Sequence, residues 1–278
     1  MTEIPPPLAG VVGWPISHSR SPVLHGYWLR KYLIDGHYIP IGLRPQDFET
    51  GIRSLARLGF KGVNLTLPYK ESILSIADAV TDRASLIGAA NTVVFREDGS
   101  ISVDNTDGYG FIESVRTAMP NWRGSDGPAV VLGAGGAARG VISALLTDGA
   151  PEIRLANRTR QRAEILAEQF GAKIQVVDWN RAGDAFAGAA LAVNTTALGM
   201  VGKPPLPVTL ERADTHTIVV DIVYNPLETE FLATARARGM PVVDGLGMLL
   251  HQAVPGFESW FNIRPEVDDD LRQAVLSA

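Results

Sequence analysis

Cysteine is absent from this sequence of 278 residues, which excludes disulfide bonds, thiolate nucleophiles and zinc sites built on cysteine. The 5 histidines show neither an HExxH motif nor pairing at four-residue spacing, so we predict no metal site. Long apolar runs are absent as well. No segment therefore predicts a helix that spans a membrane, and we expect no membrane partner.

Basic residues are fewer than acidic ones. The sequence has 25 lysines and arginines and 30 aspartates and glutamates, which gives a net charge of −5. Binding to nucleic acid needs an excess of clustered cations, so this balance argues against such a partner. The segment MTEIPPPLAG lacks the basic start and apolar run of a signal peptide. Together with the missing cysteines, these features predict a cytoplasmic protein.

Strand and helix patterns alternate along the first third of the chain. The segments LAGVVGWP, HYIPIGL and FKGVNLTLP are typical of strands, and SPVLHGYWLRKYL and PQDFETGIRSLARLG between them are typical of helices. This order predicts a parallel sheet. Asp98-Gly99 then predicts a hairpin, which makes the sheet mixed. At the first helix, Ser21 is predicted to be the N-cap, with Pro22 in the first turn.

A second strand-helix series begins at GPAVVLGAGGAARGVISALL and predicts a doubly wound nucleotide-binding domain. The last segments, GLGMLLHQAVPGFESWFNI and RPEVDDDLRQAVLSA, predict helices that return to the first domain. We therefore predict an α/β fold of two domains. Residues 1–106 with 246–278 form a three-layer substrate-binding domain with a mixed, mainly parallel sheet, and residues 107–245 form a Rossmann-type domain.

The predicted dinucleotide site starts at the first strand of the second series. Gly133-x-Gly135-x-x-Ala138 directly follows a β-branched strand and opens a helix. The first glycine permits the tight turn, the second lets the backbone approach a pyrophosphate, and the alanine lets helix and strand pack closely. A tight βα turn without a ligand is the simpler alternative.

The next strand predicts which dinucleotide binds. An NAD site carries an acid at the end of that strand, whereas Asn157 stands here, followed by Arg158, Arg160 and Arg162. Guanidinium groups bind a 2′-phosphate, which an acid would repel. Arg158 and Arg162 are four residues apart and are expected to share one face at a helix start. NADP is the predicted cofactor, and a solvated helix face is the alternative.

Polar residues gather at the predicted strand exits of the first domain. Asn64 and Thr66 are expected to face a polar cleft, and Pro68 is expected to begin a helix with Lys70 in its first turn, where the macrodipole disfavours a structural lysine. Asp107 either caps the following helix or works with Lys70 in proton transfer. With Ser19, Ser21 and Asn91, these groups suit a small, hydroxylated, anionic substrate.

Several separated motifs together resemble the shikimate dehydrogenase family. They are GWPISHSRSP, GVNLTLPYKE, GAANTV, DNTDGYGF, GAGGAAR, NRT, YNPLETEFL and DGLGMLLHQA, and they span almost the whole chain in this order. The resemblance implies reversible reduction of 3-dehydroshikimate to shikimate by NADPH, with shikimate or 3-dehydroshikimate as the small-molecule partner. A monomer or homodimer is expected.

The resemblance further implies a role for each site residue. Lys70 and Asp107 would be the catalytic pair. Ser19 and Ser21, with Tyr224, would hold the substrate carboxylate, and Thr66, Asn91 and Gln252 would hold ring hydroxyls. The cofactor set would comprise Gly133, Ala134, Gly135, Gly136 and Ala137 at the pyrophosphate, Asn157, Arg158, Thr159 and Arg162 at the 2′-phosphate, and Gly245 at the nicotinamide.

Two other functions stay open on the sequence. One is a quinate/shikimate dehydrogenase of the same superfamily with broader substrate use, which in some cases uses NAD. The other is a regulator without catalysis that binds NADP or a metabolite on the same scaffold. The presence of Lys70, Asp107 and Gln252 argues against the regulator, and the arginines after Asn157 argue against NAD.

Overall fold

The structure is a computed structural model that describes residues 5–278. It divides into two compact units, one of Met1–Thr106 with Gln252–Ala278 and one of Asp107–His251. In chain order the strands and α-helices are β1 (Leu8–Gly13), α1 (Ser21–Lys31), β2 (His37–Gly42), α2 (Phe48–Arg57), β3 (Phe60–Leu65), β4 (Ala79–Val80), α3 (Asp82–Ile87), β5 (Thr92–Phe95), β6 (Ile101–Asp104), α4 (Asp107–Ala118), β7 (Ala129–Leu132), α5 (Gly136–Thr147), β8 (Ile153–Ala156), α6 (Arg160–Phe170), β9 (Ile174–Val177), β10 (Leu191–Asn194), β11 (Ile218–Asp221), α7 (Glu230–Ala237), β12 (Val242–Val243), α8 (Gly245–His251), α9 (Val254–Phe261) and α10 (Asp269–Leu276).

The first unit contains a six-stranded sheet in the order β2-β1-β3-β5-β6-β4. The three leading strands are parallel, and the hairpin of β5 and β6 joins them antiparallel to β3, which confirms the predicted mixed sheet. Gly99 in the hairpin turn has φ of 85°, a value that a residue with a side chain rarely adopts. One core of this unit packs Val63 and Leu65 of β3 against Ile52 of α2.

The two C-terminal helices belong to the first unit, as predicted. The indole nitrogen of Trp260 on α9 donates a hydrogen bond to the carbonyl of Val93 across 3.0 Å. This helix approaches the sheet so closely that a Cβ at Gly62 would lie 2.1 Å from the same indole nitrogen. Ahead of α10, the carbonyl of Glu266 accepts a hydrogen bond of 2.8 Å from the indole of Trp28 on α1.

The second unit is the predicted doubly wound domain. Its six strands are all parallel and lie in the order β12-β11-β10-β7-β8-β9. The strand order reverses between β7 and β10, which is the switch point where such sheets bind ligands. The strands carry buried apolar residues on both faces, because helices cover both sides of the sheet.

Residues 246–251 lie with the second unit, although they were predicted to belong to the first. They belong to α8, which packs on α4. The contact needs a small residue, because a Cβ at Gly247 would lie 2.2 Å from the hydroxyl of Ser114. None of the helices between residues 5 and 278 is both long enough and apolar enough to cross a membrane.

Candidate active site

The predicted substrate residues of the first unit meet at one edge of its sheet. The backbone N–H of Thr66 donates to Val12 across 3.0 Å, so the exits of β1 and β3 lie side by side. The N–H of Leu65 donates to the carbonyl of Asn91 across 2.8 Å, which brings the start of β5 to the same edge. The carbonyl of Lys70 accepts from the N–H of Ala90 across 2.7 Å. Thr66, Lys70 and Asn91 are therefore neighbours.

The serine loop after β1 differs from the prediction at its cap. Arg20 is the N-cap of α1, while Ser21 is the first helical residue and Pro22 follows it. The hydroxyl oxygen of Ser19 accepts a hydrogen bond of 3.3 Å from the N–H of Ser21. Ser19 therefore takes part of the capping role that was predicted for Ser21, and both serines lie at the helix start.

Lys70 does not lie in an α-helix. It is half-buried in a turn, and the next regular element is a short 3₁₀ helix over Ser72–Ser75. The argument from the helix macrodipole therefore does not apply to this lysine. The sequence pattern misled because Pro68, which commonly begins a helix, here begins only a turn after β3.

Asn91 has its side chain held by a set of buried donors. Its oxygen accepts a hydrogen bond of 2.9 Å from the N–H of Thr106 and one of 3.0 Å from the hydroxyl of Thr92. Its nitrogen donates to the side-chain oxygen of Gln252 across 3.1 Å. The hydroxyl of Thr106 lies 2.8 Å from the carbonyl of Gln252, to which it donates. Asn91 and Gln252 were both predicted to hold ring hydroxyls. They thus form one hydrogen-bonded network with Thr92 and Thr106.

Asn64 is buried, which contradicts the expectation that it faces a polar cleft. Its oxygen accepts a hydrogen bond of 2.7 Å from the hydroxyl of Tyr38, and its nitrogen donates to the carbonyl of Asn91 across 3.2 Å. Burial raises the pKa of Tyr38 well above its ordinary value, with the hydroxyl of Ser21 opposing the rise. Asn64 therefore holds the backbone carbonyl of Asn91 in place. Through Tyr38 it is also linked to Ser21 at the start of α1.

His25 lies under this network in an aromatic cage. Its ring stacks on Tyr38 with centroids 3.8 Å apart and meets the edge of Trp28 at 5.6 Å. Neither ring nitrogen has a hydrogen-bond partner among residues 5–278, although Asn64 lies close by. Burial lowers the pKa of His25 from 6.5 to about 3. The imidazole is thus a neutral packing group at neutral pH.

The remaining predicted substrate residues belong to the second unit. Asp107 is the first residue of α4 and is 9% exposed, and Tyr224 is half-buried in the loop after β11. That loop packs closely against Gly245. A Cβ at Gly245 would lie 2.3 Å from the carbonyl oxygen of Ile222 and 2.6 Å from that of Val223. Tyr224 and Gly245 therefore lie in one local region of this unit.

The glycine turn after β7 has the form that a dinucleotide needs. Gly133 has φ of 111°, and a Cβ at Gly135 or Gly136 would meet no described atom within 4 Å. Gly135 is the N-cap of α5, and within the described residues no side chain caps this helix. The space beside the first turn of α5 is therefore open, as the approach of a pyrophosphate to its N–H groups requires.

Ala134, which was predicted to bind the pyrophosphate, uses its backbone N–H in a hydrogen bond within the protein. The N–H of Ala134 donates to the side-chain oxygen of Asn157 across 3.1 Å. The nitrogen of Asn157 in turn donates to the carbonyl of Thr159 across 2.8 Å. Asn157 therefore ties the glycine turn to the loop after β8, which carries the arginines.

The arginine cluster divides into two kinds. Arg160 begins α6 and pairs with Glu164 and Asp178. Arg158 lies before Thr159, the N-cap, so the expected sharing of a helix face with Arg162 is wrong. Both Arg158 and Arg162 are exposed and have no acidic partner in the part of the chain that the structure describes. These two side chains are available to an anion, whereas Arg160 is neutralised.

Three family models match successive parts of the chain. They are the Shikimate dehydrogenase substrate binding domain at residues 11–93, Shikimate / quinate 5-dehydrogenase at 116–228, and the Shikimate 5'-dehydrogenase C-terminal domain at 245–276. A Shikimate dehydrogenase (NADP(+)) of Paracoccus denitrificans is 59% identical over 98% of this chain and 96% of its own. This chain belongs to the shikimate dehydrogenase family. The enzyme of the same name from a Jannaschia species is 58% identical, with all of both chains covered.

Solved structures of the family share the fold. A quinate dehydrogenase from Corynebacterium glutamicum in complex with NAD superposes with a TM-score of 0.91 at 33% identity and covers 98% of this chain and 99% of its own. A shikimate 5-dehydrogenase from Thermus thermophilus in complex with NADP(H) and shikimate gives 0.86 at 36% identity, with 98% and 99% covered.

Two residues of the Asn91 network were missed by the sequence analysis. Thr92 and Thr106 orient the Asn91 side chain, yet neither was assigned a role of its own. Both lie inside family motifs, GAANTV and DNTDGYGF, which were the available signal. The part of Thr106 depends on a contact between residues 15 positions apart, which only the folded sheet brings together.

Proposed function

We propose that the protein is an NADP-dependent shikimate dehydrogenase that reversibly reduces 3-dehydroshikimate to shikimate in the shikimate pathway. The observation that carries this proposal is the near-full-length similarity to proteins named Shikimate dehydrogenase (NADP(+)), at 56–59% identity. The polar edge of the first unit and the glycine turn of the second supply the two kinds of site that the reaction needs.

The substrate residues of the proposal are those of the polar edge. Ser19 and Ser21, adjacent at the start of α1, hold the carboxylate with Tyr224. Thr66, Asn91 and Gln252 hold ring hydroxyls. The support is chemical, because hydroxyl and amide groups bind a polyhydroxylated acid through directional hydrogen bonds, and Asn91 and Gln252 already form one hydrogen-bonded unit.

Proton transfer is assigned to Lys70, with Asp107 as its partner in catalysis. NADPH, when bound, supplies a hydride to the substrate carbonyl carbon. Lys70 donates a proton to the carbonyl oxygen, so that the carbonyl becomes a hydroxyl, and Asp107 is the second member of the proposed pair. In the reverse direction, Lys70 accepts the hydroxyl proton.

The proposed cofactor residues form groups that bind successive parts of the dinucleotide. The open turn of Gly133, Gly135 and Gly136 with Ala137 holds the pyrophosphate, and Gly245 lies at the nicotinamide. Asn157, Ala134 and Thr159 shape the loop, and Arg158 and Arg162 bind the 2′-phosphate. The exposed, unpaired state of these two arginines supports NADP over NAD.

Quinate is the second candidate substrate, because a quinate dehydrogenase is among the structural relatives with a TM-score of 0.91. Quinate carries an extra hydroxyl on a tetrahedral carbon next to the carboxylate. In shikimate the carbon that bears the carboxylate is planar, and a site around Ser19 and Ser21 shaped for it would bury the extra hydroxyl of quinate without a partner, at a cost of about 1–3 kcal/mol. We propose that shikimate is preferred.

The deciding experiment mixes the protein with shikimate or quinate, and with NADP⁺ or NAD⁺, and follows the absorbance of the reduced nicotinamide. The proposal expects the highest kcat/KM for shikimate with NADP⁺. A kcat/KM for quinate equal to that for shikimate would place the protein with the quinate enzymes. Binding of NADPH without turnover of either substrate would instead identify a regulator.

We further propose that the enzyme is cytoplasmic and acts as a monomer or homodimer. The absence of cysteine supports a location where disulfides are not formed. Light scattering after size-exclusion chromatography tests the second point, since a tetramer or larger assembly would contradict it.

A further inference from the structure

Asp221 is a fully buried carboxylate at the end of β11, outside every set of residues assigned above. Burial raises the pKa of Asp221, and hydrogen bonds from Thr229, Val223 and Asn194 oppose the rise. Its partners are three neutral donors, and within the described residues no cation pairs with it. A carboxylate is costly to bury in this way, and the packing of a strand end does not require one.

The carboxylate connects three elements of the second unit. One oxygen accepts a hydrogen bond of 3.0 Å from the side-chain nitrogen of Asn194 and another of 3.0 Å from the N–H of Val223. The other oxygen accepts from the hydroxyl of Thr229 across 2.7 Å. Asn194 ends β10, Val223 lies in the loop after β11, and Thr229 is the N-cap of α7.

Asn194 passes this constraint into the loop that follows β10. Its second N–H donates to the carbonyl of Leu198 across 3.1 Å. Its oxygen accepts from the N–H of Thr196 across 3.0 Å and from the hydroxyl of Thr196 across 2.7 Å. Both donors and both acceptor positions of the amide are therefore used, so its orientation is fixed.

The two loops tied to Asp221 touch the two glycines of the proposed cofactor site. A Cβ at Gly133 would lie 2.7 Å from the hydroxyl of Thr195 and 2.9 Å from a methyl carbon of Thr196, in the loop after β10. A Cβ at Gly245 would lie 2.3 Å from Ile222 in the loop after β11. The proposed pyrophosphate and nicotinamide ends each have one of these loops as a wall.

We propose that Asp221 is a positioning residue for the dinucleotide: through Asn194, Val223 and Thr229 it fixes the two loops that flank Gly133 and Gly245. This inference rests on the proposed function in taking these glycines as the cofactor site. Asp221 itself, fully buried, acts only through the loops, one of which also carries Tyr224. Its loss should therefore weaken dinucleotide binding while the domain stays folded.

The chain offers a matched control at the start of β11. Thr217 directly precedes this strand, is fully buried, and donates from its hydroxyl to the carbonyl of Ala189 across 2.7 Å. Thr217→Val and Thr229→Val each remove one buried hydroxyl, and only that of Thr229, the N-cap of α7, contacts Asp221. Thr229→Ser keeps the hydroxyl and serves as the rescue variant.

The experiment measures the Kd for NADPH by fluorescence titration of the full chain, well below the melting temperature of every variant. Asp221→Asn and Thr229→Val are expected to raise the Kd by about tenfold, because each variant weakens the hydrogen bonds that order the two loops. Thr217→Val and Thr229→Ser are expected to stay within about twofold of the parent. Circular dichroism verifies folding.

Two outcomes would overturn the inference: a folded Asp221→Asn with the parent's Kd, or a Thr217→Val that loses as much affinity as Thr229→Val. If Asp221→Asn does not fold, the comparison of Thr229→Val with Thr217→Val decides in its place. A parent that binds NADPH but does not turn over shikimate would contradict the proposed reaction and leave this inference standing, because its readout is cofactor binding.

Discussion

The backbone N–H of Thr106 donates a hydrogen bond to the side-chain oxygen of Asn91 across 2.9 Å. A backbone N–H cannot accept, so the Asn91 oxygen must face it and the nitrogen must face the other way. The oxygen of Gln252 receives that nitrogen at 3.1 Å. The main chain therefore decides the orientation of the Asn91 amide, and the hydrogen bond between the two side chains in turn orients the amide of Gln252.

Asn91→Asp tests whether that donor orientation matters. The new oxygen would face the oxygen of Gln252, and the N–H donors for substrate would be lost. We expect kcat/KM for shikimate to fall by about tenfold to a hundredfold, while the KM for NADP⁺ changes little. Asn262→Asp, an exposed substitution in the same unit with the same charge change, is the control. Unchanged kcat/KM in Asn91→Asp would show that the orientation has no role in substrate binding.

Arg158→Ala tests cofactor selection. The guanidinium is exposed, without an acidic partner in the described chain, and is assigned to the 2′-phosphate. Loss of a charged hydrogen bond, about 1.5–3 kcal/mol, should raise the KM for NADP⁺ by about tenfold or more and leave the KM for NAD⁺ nearly constant. Arg160→Ala is the matched control, since Arg160 is paired with Glu164 and Asp178. Equal losses with both cofactors would make Arg158 a structural residue.

Lys70→Ala tests the proton donor. Removal of a general acid or base lowers kcat by about 10²–10⁴-fold, and KM for shikimate should change much less if the lysine acts in the transition state. Lys61→Ala removes an exposed lysine of β3 and should leave kcat unchanged. An active Lys70→Ala enzyme would rule out the assigned mechanism.

His25 predicts how stability depends on pH. Its pKa is lowered from 6.5 to about 3 in the folded state, so between these values only the unfolded chain takes up the proton. Stability is therefore lost as the pH falls below 6.5, by about 2 kcal/mol at about pH 5. Denaturant unfolding of the parent and of His25→Leu, each at about pH 7 and about pH 5, should show a smaller acid loss in the variant.

The control for that measurement is His37→Gln, which removes an exposed imidazole at the start of β2. It should lose as much stability as the parent on acidification. Because each variant is compared with itself at two pH values, any change in packing at the cage of Tyr38 and Trp28 cancels. Equal acid losses in the parent and His25→Leu would contradict the burial argument.

Several features of the site could be predicted because they depend on local backbone chemistry. Gly133 adopts a φ of 111° that favours glycine, and its spacing from Gly135 indicated the turn before any fold was known. Asp98-Gly99 indicated the hairpin for the same reason. The order of the longer strands and helices followed from apolar periodicity and predicted both sheets, but not their two-residue strands β4 and β12.

Local patterns misled where a neighbour in space decided the outcome. Ser21 resembles an N-cap and Pro68 the start of an α-helix. Ser21 is instead the first helical residue, supported by the hydroxyl of Ser19, and the chain after Pro68 makes a turn before a short 3₁₀ helix. Asn64 alternates with apolar residues as an exposed strand position would. It is nevertheless buried, because the hydrogen bond from Tyr38 offsets the free-energy cost of removing the amide from water.

By itself, the sequence determined the fold class and the family and predicted the dinucleotide turn and the cofactor NADP, since these depend on residue types at fixed spacing. Only the tertiary structure decided which way the Asn91 amide points, which arginines are unpaired, and that Asp221 holds two loops. The physical reason is that a hydrogen-bonding group takes its role from its partners. Those partners come from distant parts of the chain, such as Gln252 for Asn91, 161 residues apart.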